Sequence, residues 1–434
     1  MDQKRHAVVI SALLGIVVAR SCFAGEWPQW RGPDRDGVWT ETGVVGRFTL
    51  PRLAVKWRAK VGSGYSGPTV VDRRVFVTDR VTRPSKAERV HCFDAMTGQS
   101  VWSHDYECDY RRIGYPAGPR AAVTVDSGRA YSLGTMGHLF CFDAGTGDVL
   151  WMHDLDDEYG IRIPVWGIAA APLVENDLLI VMAGGRDGAC LVAFDKATGR
   201  RRWQALDDSA SYAAPIVIEQ AGRRVLVCIT GERVVGLDPA TGRLYWHSPF
   251  SPSRMVITIT TPVFDGKHLF VSSFYDGSLL LKVDPYRPAV EELWRRKGGN
   301  ERNTDALHCC ISTPLIQGAY IYGVDSYGEL RCLDLATGDR IWEDLTATPK
   351  ARWSNIHMVR HGSDIWMFNE RGELIISRLS PDGFHELSRT KLIDPTTDQL
   401  DRRGGVCWSH PAFAYRHVYA RNDHELVCAD LSAP

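Results

Sequence analysis

Ala193-Phe194-Asp195-Lys196-Ala197-Thr198-Gly199-Arg200-Arg201-Arg202-Trp203 is the stretch on which the fold turns, because its skeleton, Asp-x-x-Thr-Gly-x-x-x-Trp, recurs along the chain. Copies without mismatch run from Asp94 to Trp102, Asp143 to Trp151, Asp195 to Trp203, Asp238 to Trp246 and Asp334 to Trp342. A stretched copy from Asp284 to Trp294 lacks the Thr-Gly, a degenerate one passes through Leu379-Ser380-Pro381-Asp382-Gly383, and Cys428-Ala429-Asp430 opens an eighth. The spacing of roughly 43–52 residues marks an array of like units. In each copy the Asp side chain can bond its own backbone two residues on, Thr can do so more weakly, and Gly can take positive φ, so the motif is a hairpin signal with a mechanism. A second marker keeps the same phase: Pro68, Pro119, Pro172, Pro215, Pro262, Pro314 and Pro411 each precede an apolar stretch of strand character.

One unit therefore reads as four short antiparallel strands: one after the Pro, a second such as Arg74-Val75-Phe76-Val77, a third ending at the Asp, and a fourth carrying the Trp. A lone blade of this kind cannot bury both faces, so blades stack radially. The expectation is an all-β, eight-bladed β-propeller over residues 53–434. The last repeat lacks its Trp, while Leu53-Ala54-Val55-Lys56-Trp57-Arg58 stands before the first Pro as an outer strand with no blade of its own. That N-terminal strand should complete the last blade, joining the two ends and removing the exposed edges of an open array.

Composition agrees with short strands locked by aromatic contacts: 434 residues hold 14 Trp, 40 Gly and 22 Pro. With 51 Lys and Arg against 52 Asp and Glu, the net charge of −1 argues against bulk capture of nucleic acid or anionic membrane. Residues 1–24 carry Lys4, Arg5 and His6, then an apolar stretch from Ala7 to Ala19, then Cys22-Phe23-Ala24. This is the pattern of a secretory signal peptide cleaved after about Ala24, with residues 25–52 left as an N-terminal arm. Arg20 and the missing upstream Leu fit a lipoprotein signal through Cys22 poorly. The apolar stretch is too short to span a bilayer, and no later segment approaches the roughly 20 apolar residues required. The expected location is periplasmic or secreted, and the expected state is a monomer without a transmembrane segment.

The repeats resemble the PQQ-type β-propeller family, whose tryptophan-docking motif is Ala-x-Asp-x-x-Thr-Gly-x-x-x-Trp, over roughly Leu53 to Leu431; residues 193–203 fit it in full. The segment Trp27-Pro28-Gln29-Trp30-Arg31-Gly32-Pro33-Asp34-Arg35-Asp36-Gly37 looks like the leader of planctomycete-type exported members. The resemblance implies that Trp57, Trp102, Trp151, Trp203, Trp246 and Trp342 dock between blades and that Asp94, Asp143, Asp195, Asp238 and Asp334 are structural hydrogen bonders. Cys92, Cys141, Cys332 and Cys428 lie two residues before the repeat Asp, where other blades have Ala193 or Gly236, and read as small buried strand residues. The redox state of Cys108, Cys190, Cys228, Cys309, Cys310 and Cys407 is left open by their spacing.

By family geometry, the segments ahead of each innermost strand face one mouth of the central channel. The candidate funnel residues are Tyr65, Tyr115, Arg120, Trp166, Tyr212, Asn303, His308, Cys309, Cys310, Trp353, Trp408 and His410, with Asp305 as a candidate catalytic base. Aromatics mixed with a cation and imidazoles suit a planar anionic ligand, and equally a peptide. Quinoprotein alcohol dehydrogenases, similar in fold, set a strained vicinal disulfide against PQQ, and Cys309-Cys310 could be such a pair; its place late in the chain, just before Pro314, favours instead two small strand residues facing opposite sides.

No metal ligand set is expected. Ca2+ asks for six to eight oxygens, and Asn303 and Asp305 are the only nearby pair in one segment. Cys-x-x-Cys-His, Gly-x-Ser-x-Gly, His-Glu-x-x-His and a phosphate loop do not occur. The leading expectation is a non-catalytic exported scaffold, similar to the outer-membrane assembly factor with PQQ-type repeats, that binds an envelope or exported protein, or an envelope ligand, and carries no cofactor. The alternative is a PQQ- and Ca2+-dependent dehydrogenase or small-molecule sensor using the funnel.

Overall fold

The computed structural model describes residues 25–434; the segment read as a signal peptide lies outside the described residues. Eight four-stranded antiparallel sheets make up the chain, each with its strands in sequence order except the last. Their innermost strands are Thr69–Val71, Thr124–Asp126, Leu173–Glu175, Ile216–Gln220, Val263–Phe264, Leu315–Gln317, Ile356–His361 and Ala412–Ala414, which number blades 1 to 8. In the eighth, Val55–Lys60 pairs with Glu425–Asp430 and sets Trp57 opposite Cys428, so the N-terminal strand closes the ring. The one helix among the described residues is the single turn Leu155–Tyr159, and no helix there is long and apolar enough to cross a membrane.

The repeat motif works across blade boundaries. The turn Asp side chain accepts from the backbone N–H groups two and three residues on, as Asp195 does from Ala197 at 3.2 Å and Thr198 at 2.9 Å. That turn presents a backbone carbonyl and a bare glycine to the preceding blade. The indole N–H of Trp57 donates to Ala95 O at 3.0 Å, that of Trp102 to Ala144 O at 3.1 Å, and that of Trp151 to Lys196 O at 3.3 Å. Trp203 reaches Pro239 O at 3.1 Å and Trp342 reaches Ser380 O at 2.8 Å. Each acceptor but Ser380 follows a turn Asp. Gly242 shows why the motif demands glycine: its φ is +73°, and a Cβ there would lie 2.6 Å from the ring of Trp203.

In the blades that carry the full motif, a bulge in the outer hairpin sets the Trp directly across from the small residue two positions before the Asp. The pairs are Trp102 with Cys92, Trp151 with Cys141, Trp203 with Ala193, Trp246 with Gly236 and Trp342 with Cys332. A Cβ on Gly236 would meet the Trp246 ring at 2.1 Å, so these small residues, cysteines included, are spacers beneath an indole. Burial pushes the Cys92, Cys141 and Cys428 thiols up to about 12, which keeps them protonated and inert.

Two junctions depart from the rule, and each is repaired. Blade 5 carries the stretched copy without Thr-Gly, so Trp246 cannot dock on it directly. Its N–H donates instead to Gln220 Oε1 at 3.0 Å, and Gln220 Nε2 donates onward to Ala289 O at 2.6 Å in the stretched turn. Blade 7 has no Trp on its outer strand, Gly383–Lys391. The arm supplies the missing aromatics: Trp39 packs on Trp366 at 5.2 Å and Phe413 at 4.9 Å, and Phe48 on Trp366 at 5.5 Å.

Truncating a docked indole should therefore loosen two blades at once. Trp203→Ala should cost about 3–5 kcal/mol, the usual range for deleting a buried large aromatic, read as a lower thermal midpoint. Leu150→Ala, on an exposed outer strand, should stay within about 0.5 kcal/mol. An unchanged midpoint for Trp203→Ala would contradict the docking role.

Candidate functional site

The eight segments that lead into the innermost strands are extended, so their side chains alternate and every second one points into the channel. Four residues ahead of the strand start stand Tyr65, Arg120, Ala169, Tyr212, Ile259, Ile311 and Trp408, and two residues ahead stand Gly67, Ala122, Ala171, Ala214, Thr261, Thr313 and His410. These form an upper and a lower rung. Blade 7, whose innermost strand begins without a Pro, adds His357.

The arm closes the channel below these rungs. Trp27 pairs with Val70, Pro28 O accepts from Val125 N at 2.9 Å, and Arg360 N donates to Gly37 O at 2.8 Å. Arg35 is buried and donates to the carbonyls of Ala171 at 3.2 Å, Pro215 at 3.1 Å and Pro172. Trp30 lies across the channel on Ala122, Ala171 and Ala214, with its N–H on Thr261 Oγ1 at 2.7 Å and its ring 4.6 Å from that of His410. The small lower-rung residues of blades 2, 3 and 4 make room for that indole.

Above Trp30 is a cavity of about 150 Å³ walled by the upper rung and roofed in part by Tyr115, Trp166 and Trp353 from the loop tips. Tyr115 meets Trp353 edge-on at 5.6 Å and Trp166 at 6.3 Å, and Trp166 lies 5.1 Å from Tyr212. Nine of the candidate residues line this one cavity: Tyr65, Tyr115, Arg120, Trp166, Tyr212, Cys310, Trp353, Trp408 and His410. Trp408 is fixed by its N–H on Glu370 Oε2 at 3.3 Å, a buried carboxylate that also takes Arg403 and Ser354. Trp353 is flanked by Arg352 at 4.4 Å and Arg402 at 4.9 Å.

Arg120 is the one charged group on the wall. Its guanidinium lies 4.7 Å over the Tyr65 ring and donates to the carbonyls of Gly118 at 2.9 Å, Gly114 at 3.0 Å and Tyr115 at 2.6 Å. Among the described residues no carboxylate forms an ion pair with it. Burial lowers its pKa from the ordinary arginine value. His357 Nε2 donates to Trp408 O at 2.8 Å; His410 Nδ1 faces Pro411 O at 3.3 Å, and its buried Nε2 has no partner. Burial pushes the two imidazoles down to about 4 and about 3, so both are neutral near pH 7.

Four candidates stand elsewhere. Asp305 does not face the funnel: Arg296 holds its carboxylate through two bonds of 2.7 and 2.9 Å, which lowers its pKa and leaves it no base's role. Asn303 is exposed on the same loop. His308 is buried as a brace, accepting from Gly298 N at 3.0 Å and facing Phe274 O at 3.1 Å. Cys309 points into the core between blades 5 and 6 while Cys310 faces the cavity, and both are free thiols. They are two small residues facing opposite ways. Sequence reasoning missed Trp30 and His357; the alternation from each innermost strand would have found His357, but nothing local signals the path of Trp30.

A calcium-bound quinone asks for a carboxylate-rich oxygen set, and the cavity lining holds neither Asp nor Glu, so the residues present do not fit such a group. Outside the cavity, Ser103 Oγ, His91 and Asp79 form a chain of 3.0 Å links on blade 1. Arg89 already neutralises Asp79 through two 2.8 Å bonds, and Ser103 lies on an open strand face without a cleft.

The fold is thus an eight-bladed propeller with a plugged channel and a loop-face cavity. In sequence, the family model described as outer membrane protein assembly factor BamB, PQQ_2, matches residues 86–344, more than half of the chain. The chain belongs to this family of PQQ-type repeat propellers. No curated protein matches it in sequence. Among solved structures it is similar to BamB from Moraxella catarrhalis, 16% identical with TM-score 0.58 over 87% of this chain and 99% of that one. It is also similar to the quinohemoprotein alcohol dehydrogenase ADHIIG from Pseudomonas putida HK5, 13% identical with TM-score 0.64 over 95% and 81%, and to that of Comamonas testosteroni, 13% identical with TM-score 0.62 over 94% and 81%. At these identities the likeness is one of fold.

The two neutral imidazoles make stability depend on pH. Their folded pKa values lie below the unfolded value of about 6.5, so the stability they confer is complete above about pH 6.5 and is lost as pH falls toward about 4. At pH 5 each should have cost about 2 kcal/mol. The thermal midpoint of the protein should fall between pH 7 and pH 5 more steeply than that of a His357→Gln, His410→Gln variant; parallel profiles would contradict the burial of neutral rings.

Proposed function

We infer that the chain is an exported, non-catalytic propeller that serves as a scaffold in the cell envelope and presents its loop face to another envelope or exported protein. The observation that carries this is the rim of that face, where Trp353 sits between Arg352 and Arg402, Arg254 lies 5.2 Å over Tyr275, and Tyr115 bridges Trp353 and Trp166. Trp, Tyr and Arg are the side chains that dominate binding energy at protein interfaces. The family's description as an outer membrane assembly factor supports the same reading, as does the basic and apolar pattern of residues 1–24. No cofactor enters it, in keeping with a wall that offers aromatic faces and one guanidinium.

A photo-crosslinking amino acid at exposed Arg402, on the loop face, should capture one envelope protein in the living cell. The same residue at Tyr286, 91% exposed in a turn on the opposite face, should capture none. The Arg402 adduct should disappear when Arg352→Glu is added. Adducts from Tyr286 alone, or an Arg402 adduct indifferent to Arg352, would overturn the reading.

A further inference from the structure

We propose that the channel cavity is a binding site for a small monocyclic aromatic carboxylate, a benzoate in chemical class. Size sets the first limit. A dry cavity of about 150 Å³ holds benzene in another protein, and the space above Trp30 is about 150 Å³. One aromatic ring fits within it, with the mouth open toward the loops. Shape sets the second: the floor is the Trp30 indole, the roof is Tyr115 with Trp353, and the walls are Tyr65, Tyr212 and Trp408, an arrangement that rewards a flat aromatic guest through stacked and edge-on contacts.

Charge fixes the sign of the guest. An aromatic cage can attract a cation, but here fixed cations already stand at the site: Arg120 on the wall over Tyr65, and Arg352 and Arg402 beside Trp353 at the roof. The guanidinium of Arg120 is held by three backbone carbonyls and lacks a carboxylate partner among the described residues. A buried charge without a counter-ion is costly, and a guest carboxylate removes that cost. At the floor, His410 Nδ1 faces a carbonyl and its Nε2 is buried, so that ring offers the guest an edge and no polar contact. With Trp30 closing the other end, the guest enters from the loop face.

The site rests on the cavity and goes beyond the scaffold reading, so each can fail without the other. The test is calorimetric titration of the protein with benzoate, followed in parallel by tryptophan fluorescence, with benzyl alcohol and benzyltrimethylammonium as neutral and cationic comparators. The acid should bind and quench fluorescence. The alcohol, and the acid on an Arg120→Gln variant, should bind roughly 10- to 100-fold more weakly, the worth of a hydrogen bond to a charged group. Ala169→Leu fills the wall without removing a polar group and should abolish binding at an unchanged melting temperature, so it decides the matter even if Arg120→Gln fails to fold. Absence of heat and quenching with the acid at millimolar concentration, equal or tighter binding of the ammonium compound, or full affinity in Ala169→Leu would overturn the proposal.

Discussion

The contact on which the molecule depends is an indole laid on a glycine turn. Trp57, Trp102, Trp151, Trp203 and Trp294 each spend their one hydrogen bond on a carbonyl of the next blade and their flat face on a glycine held at positive φ there, so these blades are incomplete without their neighbours. Packing between blades is apolar and adaptable, but the N–H to carbonyl bond is directional and fixes how one sheet sits on the next. The two exceptions show that this requirement is met even where the motif decays. Gln220 extends the reach of Trp246 to a turn that lacks Thr-Gly, and the arm supplies Trp39 and Phe48 at the junction where blade 7 has no Trp.

From this ring follows the cavity. Eight innermost strands set at fixed angles bring eight approach segments to one axis, and their alternation sorts side chains into rungs. The lower rung is small on one side, with Ala122, Ala171 and Ala214, and there the arm lays Trp30. The same arm that repairs the ring thus closes its channel and leaves a blind space open only to the loops. Within that space Arg120 is held in an unusual state for a buried cation, solvated by its own loop's carbonyls and not neutralised. Such an arrangement is stable without a guest and ready for an anion.

Much of the architecture was legible because its causes are local. Asp-x-x-Thr-Gly specifies a turn within five residues, the Pro marks where an innermost strand begins, and an unpaired Trp57 strand has one place to go. Tyr65, Arg120, Tyr212, Trp408 and His410 were legible for the same reason, since two or four residues ahead of a strand start is a short extended path with a fixed parity. Asp305, Asn303 and His308 were misplaced because their segment, 297–314, is long enough to fold back on itself, where Arg296 captures Asp305 before it reaches the axis. Cys309 and Cys310 differ by one residue and hence by face. The path of the arm is a tertiary outcome: nothing in Trp30 or its neighbours states that it crosses beneath five blades.

The most direct test of the whole account is a crystal structure of the protein grown with benzoate. The account requires Trp30 lying across the channel on the three alanines, ring density between it and Trp353, and a carboxylate within hydrogen-bond distance of Arg120. A channel from which Trp30 has withdrawn, or ligand density confined to the outer surface, would contradict it.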